Sequence, residues 1–215
     1  MPLHACPLKD EKNPMRLGLY GGTFDPIHLG HLILAESCRE ACGLDRVWFV
    51  VTAAPPHKRG ERTPVLDRLE MARIATAGHP AFEVSEIEAG DDGPHYSYQT
   101  LERLAAERPG DELFFLIGAD SLADLPTWRQ PRRIAELATV VVVNRPGIDP
   151  GVLAGPPDLG PEAKPFRFVE IPPIGISSTD LRRRVGEGRS IRYQVPRGVE
   201  AYITEHRLYR TAAGG

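Results

Sequence analysis

The chain has 215 residues, of which 41% are hydrophobic and 26% are charged, a composition that excludes disorder of the whole chain. The formal net charge of −3 is too balanced for a protein that binds nucleic acid or a membrane surface through bulk electrostatics. The longest apolar stretch, near residues 139–143, is far shorter than the ~20 residues of a membrane-spanning helix. We therefore expect no nucleic-acid partner and no membrane.

Length and cysteine content predict one domain in a reducing compartment. A chain of 215 residues is long enough for one α/β domain and short for two. Three cysteines form no even disulfide framework, which favours a cytoplasmic protein. Residues 1–14 lack the apolar stretch of a signal peptide. We expect them to be a disordered extension, followed by a domain over residues 15–210 and a disordered tail over residues 211–215.

In chain order, the first predicted unit is a strand, a glycine turn, a helix and a second strand. The apolar pattern begins at residue 16 and leads into the turn at Gly21-Gly22. Helical spacing over residues 29–42 ends at Gly43, which suits the position just past a helix. Residues 47–51 are apolar throughout, as expected of a parallel strand covered on both faces. These segments predict a βαβ unit.

The remaining pattern repeats this alternation. Further strands are predicted at residues 82–87, 113–117, 139–143 and 166–171. Further helices are predicted at residues 66–77, 98–107, 132–137, 179–185 and 198–206, and a Pro- and Gly-rich surface loop at residues 146–165. Strands that alternate with helices predict an α/β fold, a single Rossmann-like doubly wound domain whose parallel sheet is flanked by helices, with further helices at its C-terminal end.

The turn after the first strand carries a candidate phosphate site. In a doubly wound sheet, loops at the carboxyl ends of the strands line the ligand crevice, and the next helix offers free N–H groups. His28 and His31 are three residues apart, so both imidazoles project from one face of the first helical turn. Gly30 has no side chain to keep a phosphate from the backbone. The pattern favours an anion such as phosphate.

Other interpretations of this turn remain open. A histidine at a helix start can simply cap the helix, and the same spacing can hold a metal ion, with Asp25 and a distant residue as further ligands. Asp25 next to Pro26 is also typical of an ordinary turn.

A second helix start near the end of the chain also combines hydroxyl groups with positive charge. Ser178 and Thr179 precede a helix that contains Arg182 and two more arginines. Either hydroxyl residue could be an ordinary N-cap, and the arginines could be a solvated face. Hydroxyl donors together with guanidinium groups at a helix start also form an anion site. Two such sites in one domain suit a triphosphate.

These motifs resemble those of the HIGH-type nucleotidyltransferase superfamily. The resemblance rests on Gly22 to Pro26, on His28 to His31, and on Ile176 to Thr179 with Arg182. Within the superfamily the chain is most similar to the bacterial nicotinate-nucleotide adenylyltransferases, from Met15 to about Leu208. The matches that select this branch are the segments 55–58, 67–71, 118–122 and 144–147, together with Trp128.

The resemblance implies a reaction and a set of site residues. ATP and nicotinate mononucleotide would give nicotinate adenine dinucleotide and pyrophosphate by direct in-line attack, without a covalent intermediate. The implied catalytic residues are His28, His31 and Arg182. The implied ATP-binding residues are Gly21, Gly22, Thr23, Phe24, Gly30, Gly118, Asp120, Ile176, Ser177, Ser178 and Thr179. The implied additional phosphate contacts are His57 and Lys58, and the implied mononucleotide-binding residues are Asp25, Tyr96, Ser97 and Trp128.

The resemblance also implies Mg²⁺ bound with ATP, held by phosphate oxygens and water rather than by protein side chains. For Asp120, an N-cap role before Ser121 is compatible with a contact to the adenosine ribose. One position departs from the family pattern, since Gln99 stands where an aspartate is usual. The competing functions are another HIGH-type transferase, such as a pantetheine-phosphate adenylyltransferase, and a non-catalytic nucleotide sensor. The sequence does not decide between a monomer and a homo-oligomer. It also does not decide between the acid and amide forms of the mononucleotide as substrate.

Overall fold

The structure is a computed structural model, and it describes residues 14–52, 63–88, 95–144 and 156–210. The strands are β1 (Arg16–Gly22), β2 (Arg46–Val51), β3 (Phe82–Ser85), β4 (Glu112–Gly118), β5 (Thr139–Asn144) and β6 (Arg167–Glu170). The helices are α1 (Leu29–Cys42), α2 (Val65–Thr76), α3 (Ser97–Glu107), α4 (Ala119–Asp124), α5 (Pro131–Leu137), α6 (Ser178–Gly186) and α7 (Arg197–Glu205).

The six strands form one sheet in the order β3-β2-β1-β4-β5-β6, and every pairing is parallel. The strand order reverses between β1 and β4, and ligands of such sheets bind at this switch point, outside the carboxyl ends of the strands. The predicted α/β, Rossmann-like, doubly wound fold is confirmed.

Successive side chains of the central strands point to opposite faces of the sheet, and each face is buried. On one face Phe114 and Leu116 pack with Leu34 of α1. On the other face Phe115 and Ile117 pack with Leu101 of α3 and other apolar residues. Burial on both sides explains why these strands are apolar throughout and do not alternate with polar residues.

The boundaries predicted for the long elements agree with the structure to within one or two residues at most ends. Gly43 follows α1 in the left-handed conformation, with φ 60°, as its position predicted. The sequence did not predict α4 or the 3-10 turn Leu125–Thr127. These pieces are too short to show a helical repeat, and Pro126 interrupts them.

The two predicted disordered ends fall mostly outside the described residues, as does most of the loop predicted at residues 146–165. None of the helices in the described part of the chain has both the length and the apolar composition needed to cross a lipid bilayer.

Candidate active site

A cavity of about 450 Å³ opens at the carboxyl ends of β1 and β4. It lies at the switch point of the sheet and is bordered by the starts of α1, α3 and α4. Many of the residues singled out in the sequence line it: Gly21, Gly22, Thr23, His31, Tyr96, Ser97, Gly118, Asp120 and Trp128. Residues from five separate segments therefore meet at one edge of the sheet, as the topology requires.

Phe24 shapes the turn that follows β1. Its backbone has φ 47°, and its side chain is buried, 5.4 Å from the Tyr20 ring and 5.7 Å from the Phe49 ring between centroids. A Cβ on Gly22 would lie 2.9 Å from the Phe24 ring, so a larger residue there would displace this buried ring. The Phe24 side chain belongs to the core and does not line the cavity, so it is not placed to make the predicted contact with ATP.

The two histidines of the turn form one stacked unit. Their rings lie 3.7 Å apart between centroids at an interplanar angle of 24°, and the backbone N–H of His28 donates to Nδ1 of His31 at 3.2 Å. His28 occupies the N-cap position of α1 and is buried, whereas His31 lines the cavity. A Cβ on Gly30 would lie 3.0 Å from Nδ1 of His28, so the glycine leaves room for the buried ring.

His28 is thus the N-cap residue of α1, as in the capping interpretation. This position is compatible with a role at the phosphate site. The metal interpretation gains no support, because in the described ranges no three His, Cys, Asp or Glu side chains are grouped in a way that could hold a metal ion.

The start of α6 packs directly against the turn at the start of α1. The hydroxyl of Ser178 donates to the carbonyl oxygen of Pro26 at 3.0 Å, and Nη1 of Arg182 donates to the carbonyl oxygen of Asp25 at 2.7 Å. Two helix N-termini, about 150 residues apart in sequence, therefore lie side by side. The cavity is not lined by Ser178, Thr179 or Arg182. Ser178 and Arg182 contact the turn between β1 and α1, and Thr23 of that turn lines the cavity.

The cap of α6 differs from the sequence interpretation. The alternative interpretation made either Ser178 or Thr179 the N-cap, but the N-cap is Ser177, whose hydroxyl oxygen accepts from the backbone N–H of Asp180 at 3.2 Å. Since Ser177 supplies the cap, the Ser178 hydroxyl is available to the turn at Pro26. Ile176, also assigned to ATP, packs against the core face that contains α1.

Gln99, which stands where the family pattern has an aspartate, takes part in the N-terminal capping of α3. Tyr96 is the N-cap residue, and its backbone N–H donates to Oε1 of Gln99 at 3.4 Å. The glutamine therefore holds the helix start through a side-chain oxygen, which an aspartate also carries. The guanidinium of Arg129 lies 4.8 Å from the centre of the Tyr96 ring, next to Trp128 on the cavity wall.

Asp120 and Trp128 approach the cavity from the segment after β4. Gly118 is the N-cap of α4 and Asp120 lies within its first turn, so the N-cap interpretation of Asp120 is wrong. Asp120 is exposed and sits where the helix dipole stabilises a carboxylate. Trp128 makes an edge contact with Phe115 at 6.1 Å between centroids. Trp48, in contrast, donates through Nε1 to Glu83 at 3.0 Å and does not line the cavity.

Sequence reasoning assigned no role to Arg68, which the structure places behind the site. The residue as a whole is 1% exposed. Nη1 donates to the carbonyl oxygens of Thr23 and Thr52 at 2.9 and 2.8 Å, and Nε donates to the carbonyl oxygen of Thr63 at 3.0 Å. Arg68 thus fixes the ends of β1 and β2 and the entry to α2. His57 and Lys58, predicted phosphate contacts, lie outside the described residues.

Comparisons with known proteins identify the family of the chain. The cytidylyltransferase-like family model matches residues 19–184. A "Probable nicotinate-nucleotide adenylyltransferase" of Thermus thermophilus is 48% identical over 91% of this chain and 100% of its own length. The protein of the same name from Roseiflexus sp. is 50% identical over 90% of this chain and 98% of its own.

Among solved structures, the nicotinic acid mononucleotide adenylyltransferase of Plasmodium falciparum complexed with NaAD has a similar fold. Its TM-score is 0.75 at 19% identity, over 91% of this chain and 97% of that one. At this identity the likeness concerns the fold alone.

The buried guanidinium of Arg68 gives a stability prediction. Arg68→Lys replaces a planar group that reaches three carbonyl oxygens with a single ammonium, and hydrogen bonds to charged groups contribute about 1.5–3 kcal/mol. We expect a loss of about that size in the free energy of unfolding, measured by urea denaturation. The matched control is Arg73→Lys on the same helix, whose partners Glu70 and Glu86 are exposed, with an expected change within about 0.5 kcal/mol. Equal losses in the two variants would contradict the role given to Arg68.

Proposed function

Since the chain belongs to the cytidylyltransferase-like family and, within it, to the nicotinate-nucleotide adenylyltransferases, we propose that it transfers the adenylyl group of ATP to nicotinate mononucleotide. The products are nicotinate adenine dinucleotide, a precursor in NAD biosynthesis, and pyrophosphate. Apart from family membership, one structural observation supports this proposal. Two helix N-termini lie next to each other beside a cavity that Trp128 lines.

The phosphoryl chain of ATP is assigned to the starts of α1 and α6. The positive ends of the two helix dipoles favour an anion there. His28 and His31 add imidazole donors, and Thr179 adds a hydroxyl group. Ser178 is assigned to phosphate through its backbone N–H, since its hydroxyl donates to the carbonyl oxygen of Pro26. A guanidinium has five N–H donors, so Arg182 keeps donors for phosphate oxygens while Nη1 holds the Asp25 carbonyl oxygen.

The proposed chemistry is one in-line displacement. A 5′-phosphate oxygen of the mononucleotide forms a bond to the α-phosphorus of ATP, and the bond from that phosphorus to the bridging oxygen breaks, which releases pyrophosphate. The nucleophile is already an anion, so no general base is needed. The contribution of the protein is positioning and charge stabilisation by donors that are fixed before the reaction. Arg182 is assigned to the leaving pyrophosphate.

The other end of the cavity is assigned to the mononucleotide and the adenosine. Trp128 offers an indole face for stacking on the pyridine ring, and the first N–H groups of α3, near Tyr96 and Ser97, suit the ring carboxylate. The exposed carboxylate of Asp120 is assigned to the ribose hydroxyl groups, from which it would accept hydrogen bonds. Gly118 leaves the strand end open for the nucleotide.

Mg²⁺ is proposed to enter with ATP. The residues present fit this arrangement, because Mg²⁺ keeps several water ligands and is commonly bound through substrate phosphates. The ion would neutralise phosphate charge. The chain contributes the surrounding donors, His31 and Arg182 among them.

A cytoplasmic location is proposed from the thiols. Cys38 and Cys42 of α1 are free. Burial raises the pKa of the Cys38 thiol to about 12, which keeps it in the unreactive thiol form. Both residues therefore act as small apolar side chains in a compartment that keeps thiols reduced.

The direct test is a turnover assay. The protein is incubated with Mg-ATP and either nicotinate or nicotinamide mononucleotide, and pyrophosphate release is quantified. We expect release with the nicotinate form, and the ratio of the two rates reports the preference for acid or amide. No release with either form would contradict the proposed function and favour a nucleotide sensor. Release with phosphopantetheine alone would favour the other transferase.

His31→Ala separates catalysis from stability. Removing one fixed donor to developing charge typically costs about 10²–10³ in kcat, and we expect a loss of this size. His31 also packs near Tyr20 and Phe24, so thermal stability should fall modestly. The control is His206→Ala, an exposed histidine on a different helix end, which should leave kcat unchanged. Activity lost only in proportion to the unfolded fraction would return His31 to a structural role.

Trp128→Ala tests the assignment of the pyridine site. Loss of aromatic stacking on a base costs about 1–3 kcal/mol, so KM for nicotinate mononucleotide should rise between about fivefold and 150-fold while KM for ATP changes little. Trp128→Phe should retain most of the affinity. Trp48→Phe serves as the control, because Trp48 lies away from the cavity and its loss should affect stability only. The measurement is steady-state kinetics with each substrate varied in turn. Equal changes in the KM values for ATP and for nicotinate mononucleotide would contradict the assignment.

A further inference from the structure

The carboxylate of Asp25 is held from the far end of the chain. The residue is 5% exposed. Its Oδ1 accepts from the phenol of Tyr209 at 2.7 Å, across 184 residues of sequence. Tyr209 is none of the residues that the sequence motifs or the proposed mechanism use.

The phenol is a permanent donor in this setting. Burial and the charge of Asp25 raise the pKa of Tyr209 above its ordinary value, with the Thr63 side chain as a further hydrogen-bond partner. Its hydroxyl therefore stays protonated at neutral pH and donates to Asp25. A buried carboxylate is stable only when its oxygens are hydrogen-bonded, so this bond is a main determinant of how Asp25 is oriented.

The chain folds back after α7 to bring Tyr209 into place. Arg207 and Tyr209 both have positive φ, 53° and 63°, a conformation that costs energy for residues other than glycine. The backbone N–H of Leu208 donates to the carbonyl oxygen of Ile203 at 3.0 Å. Leu208 and Tyr209 both pack against the core. The packing and the hydrogen bonds together maintain this unfavourable backbone.

The same turn is held by the residues assigned to phosphate. Arg182 donates to the carbonyl oxygen of Asp25, and Ser178 donates to that of Pro26. Asp25 is therefore bound at its side chain by Tyr209 and at its backbone by Arg182. If Asp25 moved, its carbonyl oxygen would move with it. That oxygen accepts from Arg182, so the orientation of the guanidinium would change.

We propose that Tyr209 is a positioning residue for adenylyl transfer, one that fixes Asp25 and, through the Asp25 carbonyl oxygen, the guanidinium of Arg182. This inference rests on the proposed function, because Arg182 matters to turnover only if it contacts the phosphates. Tyr209 does not need to touch either substrate.

The test starts from Tyr209→Phe, which removes the hydroxyl and keeps the ring that packs against the core. We expect kcat to fall roughly ten- to hundredfold, as for loss of a hydrogen bond to a charged group. The melting temperature should also fall, by roughly 5–10 °C, because the buried carboxylate of Asp25 loses a hydrogen-bond partner. Tyr193→Phe is the matched control, since Tyr193 is 85% exposed, and it should behave as the wild type.

A double-mutant cycle distinguishes positioning from a merely structural role. Tyr209→Phe is compared in the wild type and in Arg182→Lys. If Tyr209 acts through Arg182, its loss should cost less than about threefold in the Arg182→Lys background, because interacting residues are not additive. The affinities of the same four proteins for a non-hydrolysable ATP analogue, measured by calorimetry, give a readout that needs no turnover and should show the same non-additivity.

Each outcome decides one question. If the wild type releases no pyrophosphate, the proposed function has failed. If the wild type turns over and Tyr209→Phe retains its kcat, the inference about Tyr209 is wrong. Equal factors in both backgrounds would also overturn it, since they would assign Tyr209 to general stability.

Discussion

The candidate site depends on one set of contacts, those that join the start of α6 to the turn before α1. Ser178 and Arg182 donate to two successive carbonyl oxygens, those of Pro26 and Asp25. Without these bonds, the two helix N-termini would be separate. Held together, they bring the positive ends of two helix dipoles from both ends of the sequence to one place, which suits the single polyanion proposed above. In a chain whose net charge is only −3, the proposed recognition of phosphate rests on this local arrangement.

The sheet makes these contacts possible. Because β1 and β4 are neighbours and the strand order reverses between them, the segments that follow both strands open onto one crevice. The strands are buried on both faces and form a rigid frame, whereas the site itself is built from turns and helix starts. Arg68 connects this frame to the site, since its buried guanidinium binds carbonyl oxygens at the ends of β1 and β2.

The sequence predicted the parts of the molecule that have a repeating pattern. Apolar runs such as 139–143 identified the buried strands, and the sheet-edge rule placed His31 at the crevice where it lines the cavity. Trp128, which lines the same cavity, was singled out by the family resemblance alone. The short helix α4 was missed because six residues show no periodicity. Arg68 was missed because an arginine on a helix is usually solvated. Contacts between residues as distant as Asp25 and Tyr209 leave no local pattern, so only the folded chain reveals them.

The position of Arg68 also bears on how the protein tolerates change. Its guanidinium binds Thr52 at the end of β2 and Thr63 before α2, so the two ends of the intervening segment are held by one side chain. A substitution at Arg68 would therefore release the end of β2 and the entry to α2 together, although neither is next to Arg68 in the sequence.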